Sequence, residues 1–454
     1  MNSKKDNIEM ITGDPKNAII KLSIPMMVSM LLIMLYNIAD SIWVAGIGSD
    51  ALAAIGFITP LFMVLVGLGN GIGAGANSLI ARYIGANNYE QANNAGLHAF
   101  LLCIIISVIC TILMMIFMPQ LLELMGAGNT IQYALDYGYV VFGALIIFVF
   151  SGVASAIFRS EGDMKRATYA IAVTAILNIV LDPIFIYVLN LGIVGAAWAT
   201  VFSASISCIV MGYWIWIKKD LYLDLSFKNL HYETKIMTDE LQVAIPSTLE
   251  NLVFSILAIS INGMLVVASG TDAVAVYTAS MRIVQLAMIP LIGIGTAVLT
   301  VSGVAYGAHN ATNLKTAHSY SIKLGFLLSI CVGVLMVVFS SQIAGLFSYT
   351  SASASLAPEI ATALSILSLF VLAVPHGMMS AMVFQGVGKG IYSLIITLLR
   401  SLILETVCAY ILCFVFGWGV KGIYSGIILG CFIGGVVGYI WAKLFIREYS
   451  KVQG

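Results

Sequence analysis

The chain has 454 residues, 60% hydrophobic and only 9% charged, with a formal net charge of zero and a mean hydropathy of +1.02. A soluble domain carries about 25% charged residues, so this chain lacks a wettable surface and reads as a polytopic membrane protein. Zero net charge argues against nucleic acid as a partner. Seven cysteines scattered singly in apolar runs exclude a disulfide framework or a cysteine metal centre.

The N-terminal "MNSKKDNIEMITGDPKN" is polar and shows no small-residue cleavage pattern, so a cleaved signal peptide is not expected. Crossing a bilayer takes about 20 apolar residues. Twelve spans are predicted, near 18–47, 51–81, 92–118, 130–158, 166–189, 192–217, 239–268, 272–306, 314–340, 358–386, 391–416 and 420–445. Lys4, Lys5, Lys16 and Lys21 precede the first span, alternate connections carry basic residues from Arg82 to Lys389, and Lys443, Arg447 and Lys451 follow the last. The other side has only Lys421. Both termini are therefore expected in the cytoplasm, and the protein in the plasma membrane.

Residues 50–88 align without a gap on 272–310 at an offset of 222, placing Gly71 and Gly73 on Gly293 and Gly295. Pro25 falls on Pro246, Phe158 and Gly162 on Phe384 and Gly388, and Gly192 and Gly195 on Gly419 and Gly422. The expected organisation is an N-lobe (1–217), a cytoplasmic inter-lobe loop (218–238) and a C-lobe (239–454). Six spans separate equivalent helices, so the repeat is parallel, an arrangement found in transporters.

Acids inside spans carry the functional signal, because an ionisable group in hydrocarbon costs about 2.5–3.5 kcal/mol on insertion scales. Asp40 follows Tyr36 by four residues and Asn37 by three, which sets all three on one helical face. Asn178 and Asp182 repeat the four-residue spacing, and Pro183 leaves the Ile179 carbonyl without its helical donor. Thr200, midway along the next span, brings a hydroxyl. These groups either bond helices together or hold one cation, H⁺ or Na⁺, between Asp40 and Asp182. The repeat sets Ile261 or Asn262 opposite Asp40 and Cys408 or Ala409 opposite Asp182, so the fold itself does not need these acids.

In the other half, Glu250 and Glu405 can pair with Arg282 or Arg400; alternatively Glu250, with Gln285 nearby in either network, meets a cationic substrate. Met26, Met27, Met30 and Met34 are either ordinary packing or an adaptable apolar surface for ligands. His376 reads as packing or as a titrating group, and Asp136, among Tyr133, Tyr137 and Tyr139, as an exposed vestibule or a first-turn acid. "GLGNGIGAG" (67–75) lacks the Lys-Ser/Thr of a phosphate loop. No nucleophile–base or metal constellation marks an enzyme, and no cofactor is expected beyond the coupling ion.

"SIPMMVSMLLIMLYNIADSIWVAGIGSDALAAIGFITP", "FRSEGDMKRATYAIAVTAILNIVLDPIFI" and "GIVGAAWAT" resemble the multidrug and toxic compound extrusion (MATE) family, in its prokaryotic DinF-like and MepA-like branch. The likeness spans essentially the whole chain. It implies an all-α fold of twelve transmembrane helices in two homologous six-helix lobes, V-shaped. It also implies export of amphipathic, often cationic drugs by antiport with H⁺ or Na⁺. By position, the family's N-lobe cation site maps onto Asp40, Tyr36, Asn178, Asp182 and Thr200, a set that would also serve a Na⁺ ion. Substrate contacts are expected from Met34, Asn37, Glu250 and Gln285. Glu250 stands where the NorM-like branch has an acid, but that branch's tenth-helix aspartate has no match here. A lipid-linked oligosaccharide flippase and a narrow-substrate metabolite exporter are the alternatives, and a monomer is the default.

Overall fold

Hydrocarbon offers no partner to a backbone N–H or C=O, so a spanning segment must bond internally. The computed structural model describes residues 2–347 and 356–453, and among them it contains helices and no strand. In chain order these are α1 (Asn2–Thr12), α2 (Pro15–Ala45), α3 (Ser49–Gly85), α4 (Tyr89–Leu124), α5 (Ile131–Gly143) and α6 (Leu145–Ser160). Then come α7 (Met164–Pro183), α8 (Gly192–Gly212), α9 (Thr234–Ser269), α10 (Thr271–Gly307), α11 (Ala311–Val338) and α12 (Ser340–Phe347). The series ends with α13 (Ala357–Ala373), α14 (Pro375–Gly386), α15 (Gly390–Thr397), α16 (Glu405–Tyr410) and α17 (Gly419–Gln453).

Ten of the described helical stretches are long and apolar enough to cross a membrane, and two bent pairs complete twelve spans. The fourth and tenth spans, expected as single helices, are broken: α5 meets α6 at 48°, and α13 meets α14 at 41°. Pro375 explains the second break, since it brings no N–H and opens α14 as its first residue. The first break, at Ala144, has no proline.

The repeat seen in the sequence is built into the backbone. Glycines with positive φ recur at Gly48 and Gly270, Gly162 and Gly388, and Gly192 and Gly419, and Asn87 (φ 55°) is matched by His309 (φ 53°). Both halves also widen into a π-helical segment before the sharp turn to the next helix, Ile184–Val188 in one and Ile411–Val415 in the other. The first follows Pro183 and the second follows Tyr410, so the widening belongs to the fold and not to the proline.

Contacts divide the described chain into two units. One comprises residues up to Gly13 with Ile24–Thr248; the other comprises Asp14–Ser23 and the chain from Leu249 onward. In the first, α3 packs on α6 and α4, and α7 on α8; in the second, α10 packs on α11 and α14, and α16 on α17. The segment after α8 is pinned by Glu161, whose carboxylate accepts the N–H of Tyr222 (3.2 Å) and Leu223 (2.8 Å). Arg166 adds ion pairs to Asp163 (3.3 Å) and Asp220 (2.8 Å).

Backbone approaches backbone closely where "GIVG" and "GVKG" start α8 and α17. A Cβ on Gly195 would lie 2.5 Å from the Phe185 carbonyl oxygen, and one on Gly422 would lie 2.7 Å from that of Leu412. Backbone cannot yield as a flexible side chain can. Gly195→Val and Gly422→Val are each expected to lower stability by about 1–3 kcal/mol, read as a drop in melting temperature of the purified protein. Gly56→Ala, with open space around the added methyl, is expected to leave it unchanged.

Candidate cation-binding site

Asp163 caps α7 by accepting the Arg166 N–H at 3.3 Å, and from there the helix carries Asn178 and Asp182 one turn apart toward its C-terminal end. α8 runs back alongside and sets Thr200 opposite them. Asn178 Nδ2 donates to Asp182 Oδ1 and to Thr200 Oγ1, both at 3.2 Å. The Thr200 hydroxyl itself donates to the Ala196 carbonyl at 3.1 Å, so its lone pairs face Asn178. That pairing fixes the amide orientation, with both amide hydrogens directed at acceptors.

α2 brings the second acid. Asp40 lies within electrostatic reach of Asp182, and Tyr36, one turn earlier, within reach of Asp40. Asn178 and Asp182 are 1% and 0% exposed, while Asp40 and Tyr36 are half-buried. The five residues expected to form the cation site therefore assemble inside the first unit.

Three oxygens in this cluster are buried and accept no hydrogen bond: Asp40 Oδ1, Asn178 Oδ1 and Asp182 Oδ2. No lysine or arginine among the described residues acts on either carboxyl. Two ionised carboxylates without a counter-charge are prohibitively costly in a low-dielectric surrounding. The unpartnered oxygens of the cluster are a donor set whose chemistry suits a proton or a hard cation.

Tyr137 completes the cluster and was not expected there. It is 8% exposed and lies within electrostatic reach of Asp40, Asp182 and Tyr36, beside Thr200. The signal was present in α5, where Ala134, Tyr137, Gly138, Val141 and Phe142 form the buried face. Its neighbour Asp136 instead takes the Gln132 side-chain amide at 2.8 Å on the exposed side.

The remaining candidates lie elsewhere. Met34 is half-buried and Asn37 exposed on α2, in the same unit as the cluster. Glu250 belongs to the second unit, buried against Ser393 and Gln385. Gln285 and Arg282, on α10 in that unit, are exposed. Among the described residues Arg282 forms no ion pair, and Arg400 alone lies near Glu250 and Glu405.

The MatE family model matches residues 25–184 and again 246–411, once in each half. A FAD transporter of Shewanella oneidensis is 25% identical over 97% of both chains. The multidrug export protein MepA of Staphylococcus saprophyticus is 24% identical over 84% of both. Among solved structures, a multidrug resistance MATE family transporter of the MOP superfamily, in an outward-facing conformation, superposes with a TM-score of 0.94. It is 39% identical, with 98% of each chain covered. Twelve membrane helices in two homologous six-helix lobes, matched by family model and by solved structure alike, make this chain a member of the MatE family, a multi-pass membrane transporter and not an enzyme.

Proposed function

We propose that the chain is a secondary active multidrug efflux transporter, exporting amphipathic, often cationic compounds by antiport with H⁺ or Na⁺ through alternating access. The observation that carries this reading is the pair Asp40 and Asp182, within electrostatic reach of each other beside Asn178, with an unpartnered buried oxygen on each of the three and no basic residue among the described residues acting on the acids.

Open to the outside, the cluster takes up one cation. Neutralised, the acids no longer attract a cationic drug, which leaves; open to the inside, the cation is lost and drug is taken up again. Proton and drug thus exclude one another by charge rather than by overlap. One charge moving down 100 mV supplies about 2.3 kcal/mol, and each pH unit about 1.36 kcal/mol, enough for accumulation of tens-fold or more. In this reading residues 1–217 form the N-lobe that holds the site, both termini are cytoplasmic and the membrane is the plasma membrane.

A narrow-substrate exporter is the second reading, favoured by one observation: the likeness to the FAD transporter runs nearly the full length of both chains. An anionic flavin nucleotide would call for a basic substrate surface. Ethidium and FAD, offered in parallel to proteoliposomes under a pH gradient or a Na⁺ gradient, separate the two readings.

Asp40→Asn and Asp182→Asn, each inserted at wild-type level, are expected to lower gradient-driven ethidium movement at least tenfold, and undiminished movement would contradict the assignment. Asn178→Ala strips Asp182 and Thr200 of their shared donor. It is expected to lower stability by about 1–3 kcal/mol, measured as a thermal shift at fixed pH.

A further inference from the structure

The two acids of the cluster stand on α2 and α7, and the ends of the same two helices meet again just beyond them. The Tyr187 hydroxyl donates to the Trp43 carbonyl at 2.6 Å. The two rings also pack edge to face, with centroids 6.3 Å apart at 69°. Trp43 follows Asp40 by three residues, so the two share a helical face. Its carbonyl belongs to the last turn of α2, where helical donors run out. There it accepts the Gly46 N–H at 3.2 Å and, from the other helix, Tyr187.

Tyr187 reaches that carbonyl because the chain has widened. It stands five residues beyond Asp182, a spacing that on an α-helix turns a side chain about 140° away. Ile184–Val188 is π-helical instead, and the Leu189 N–H closes on the Ile184 carbonyl at 2.9 Å. The wider winding, with bonds five residues apart, swings Tyr187 back toward the face that carries Asp182. Gly46 keeps the place of the hydroxyl clear, since a Cβ there would collide with the Tyr187 oxygen.

The second unit shares the backbone plan without this contact. Its π-helical segment Ile411–Val415 has Phe414 where the offset of 227 sets Tyr187, so the hydroxyl is missing. Trp43 falls on Met264 or Leu265. At that place a cavity of about 450 Å³ opens, lined by Ser260, Gly263, Met264, Val267, Tyr410 and Phe414. The fold does not require the contact, and the half that has it is the half that carries Asp40 and Asp182.

We infer that Tyr187 is a positioning residue for the Asp40–Asp182 pair. Its bond to the Trp43 carbonyl clamps α2 to the widened end of α7 and sets how closely the two carboxyls are held. The inference rests on the reading of that pair as the cation site. Tyr36 on α2, Tyr137 on α5, Asn178 on α7 and Thr200 on α8 lie around the acids, and none carries a fixed charge. The separation of the two acids therefore governs how strongly each opposes ionisation of the other. Releasing the clamp lets the carboxyls part, weakens that repulsion and makes the pair give up its proton more readily.

The test follows the carboxylic C=O stretch of the purified protein across pH in Na⁺-free buffer. The signal is read as a difference against the Asp40→Asn/Asp182→Asn variant, so that only the protons of the pair are counted. Tyr187→Phe removes the hydroxyl alone, and Gly46→Ala pushes it off the carbonyl. Each is expected to move the midpoint of the pair to lower pH by about half a unit or more, and the double variant to move it no further than either. A midpoint unchanged in Tyr187→Phe, even with a lower melting temperature, would reduce the bond to a structural staple and overturn the positioning role. Shifts that add in the double variant would overturn it too, because the two changes would then act on different contacts. A wild type with no titrating signal in the difference would instead remove the cation site itself, and the positioning role with it.

Discussion

A carboxylate buried in a membrane lobe must be neutralised by something, and the arrangement of this chain turns on where the neutralising charge comes from. In the first unit no basic residue among the described residues provides it: Asp40 and Asp182 lie within electrostatic reach of each other, each with an unpartnered oxygen. In the second, Arg400 is buried within electrostatic reach of Glu250 and Glu405, without an ion pair to either among the described residues. In the proposed reading, an acid lacking its own counter-charge binds a cation, and through that cation a gradient would act on the protein.

The two units reach these different chemistries on one backbone plan. Their positive-φ glycines, bent fourth and tenth spans and π-helical segments correspond. What differs is the side chains at equivalent places. An offset of 227 sets Glu405 against Asn178 and Ala409 against Asp182, and an offset of 222 sets Asn262 against Asp40. Both halves therefore carry polar side chains at equivalent places of the repeat.

Much of this was legible in the sequence because membrane helices obey few rules. Apolar length located the spans, and glycine spacing located the repeat. The four-residue interval from Asn178 to Asp182 and from Tyr36 to Asp40 already fixed which side chains share a face. Contacts between helices distant in sequence were not legible. Tyr137 reaches the cluster through the packing of a half-helix, and its neighbour Asp136 drew attention to the opposite face. The break at Ala144 has no proline to announce it. Arg282 and Arg400 were equivalent as candidates, since both are single basic residues inside spans. Only the fold distinguishes the exposed one from the one pinned beneath Gly434.

The most direct test of the central claim is a count of cations released when drug binds. Purified transporter in weak buffer is mixed with a cationic dye, with and without Na⁺, while pH and free Na⁺ are followed. If Asp40 and Asp182 hold an exchangeable cation that excludes the drug, dye binding to the wild type releases protons or displaces Na⁺. The Asp40→Asn/Asp182→Asn variant then releases neither. Tight dye binding to the wild type with no release of either cation would contradict the account.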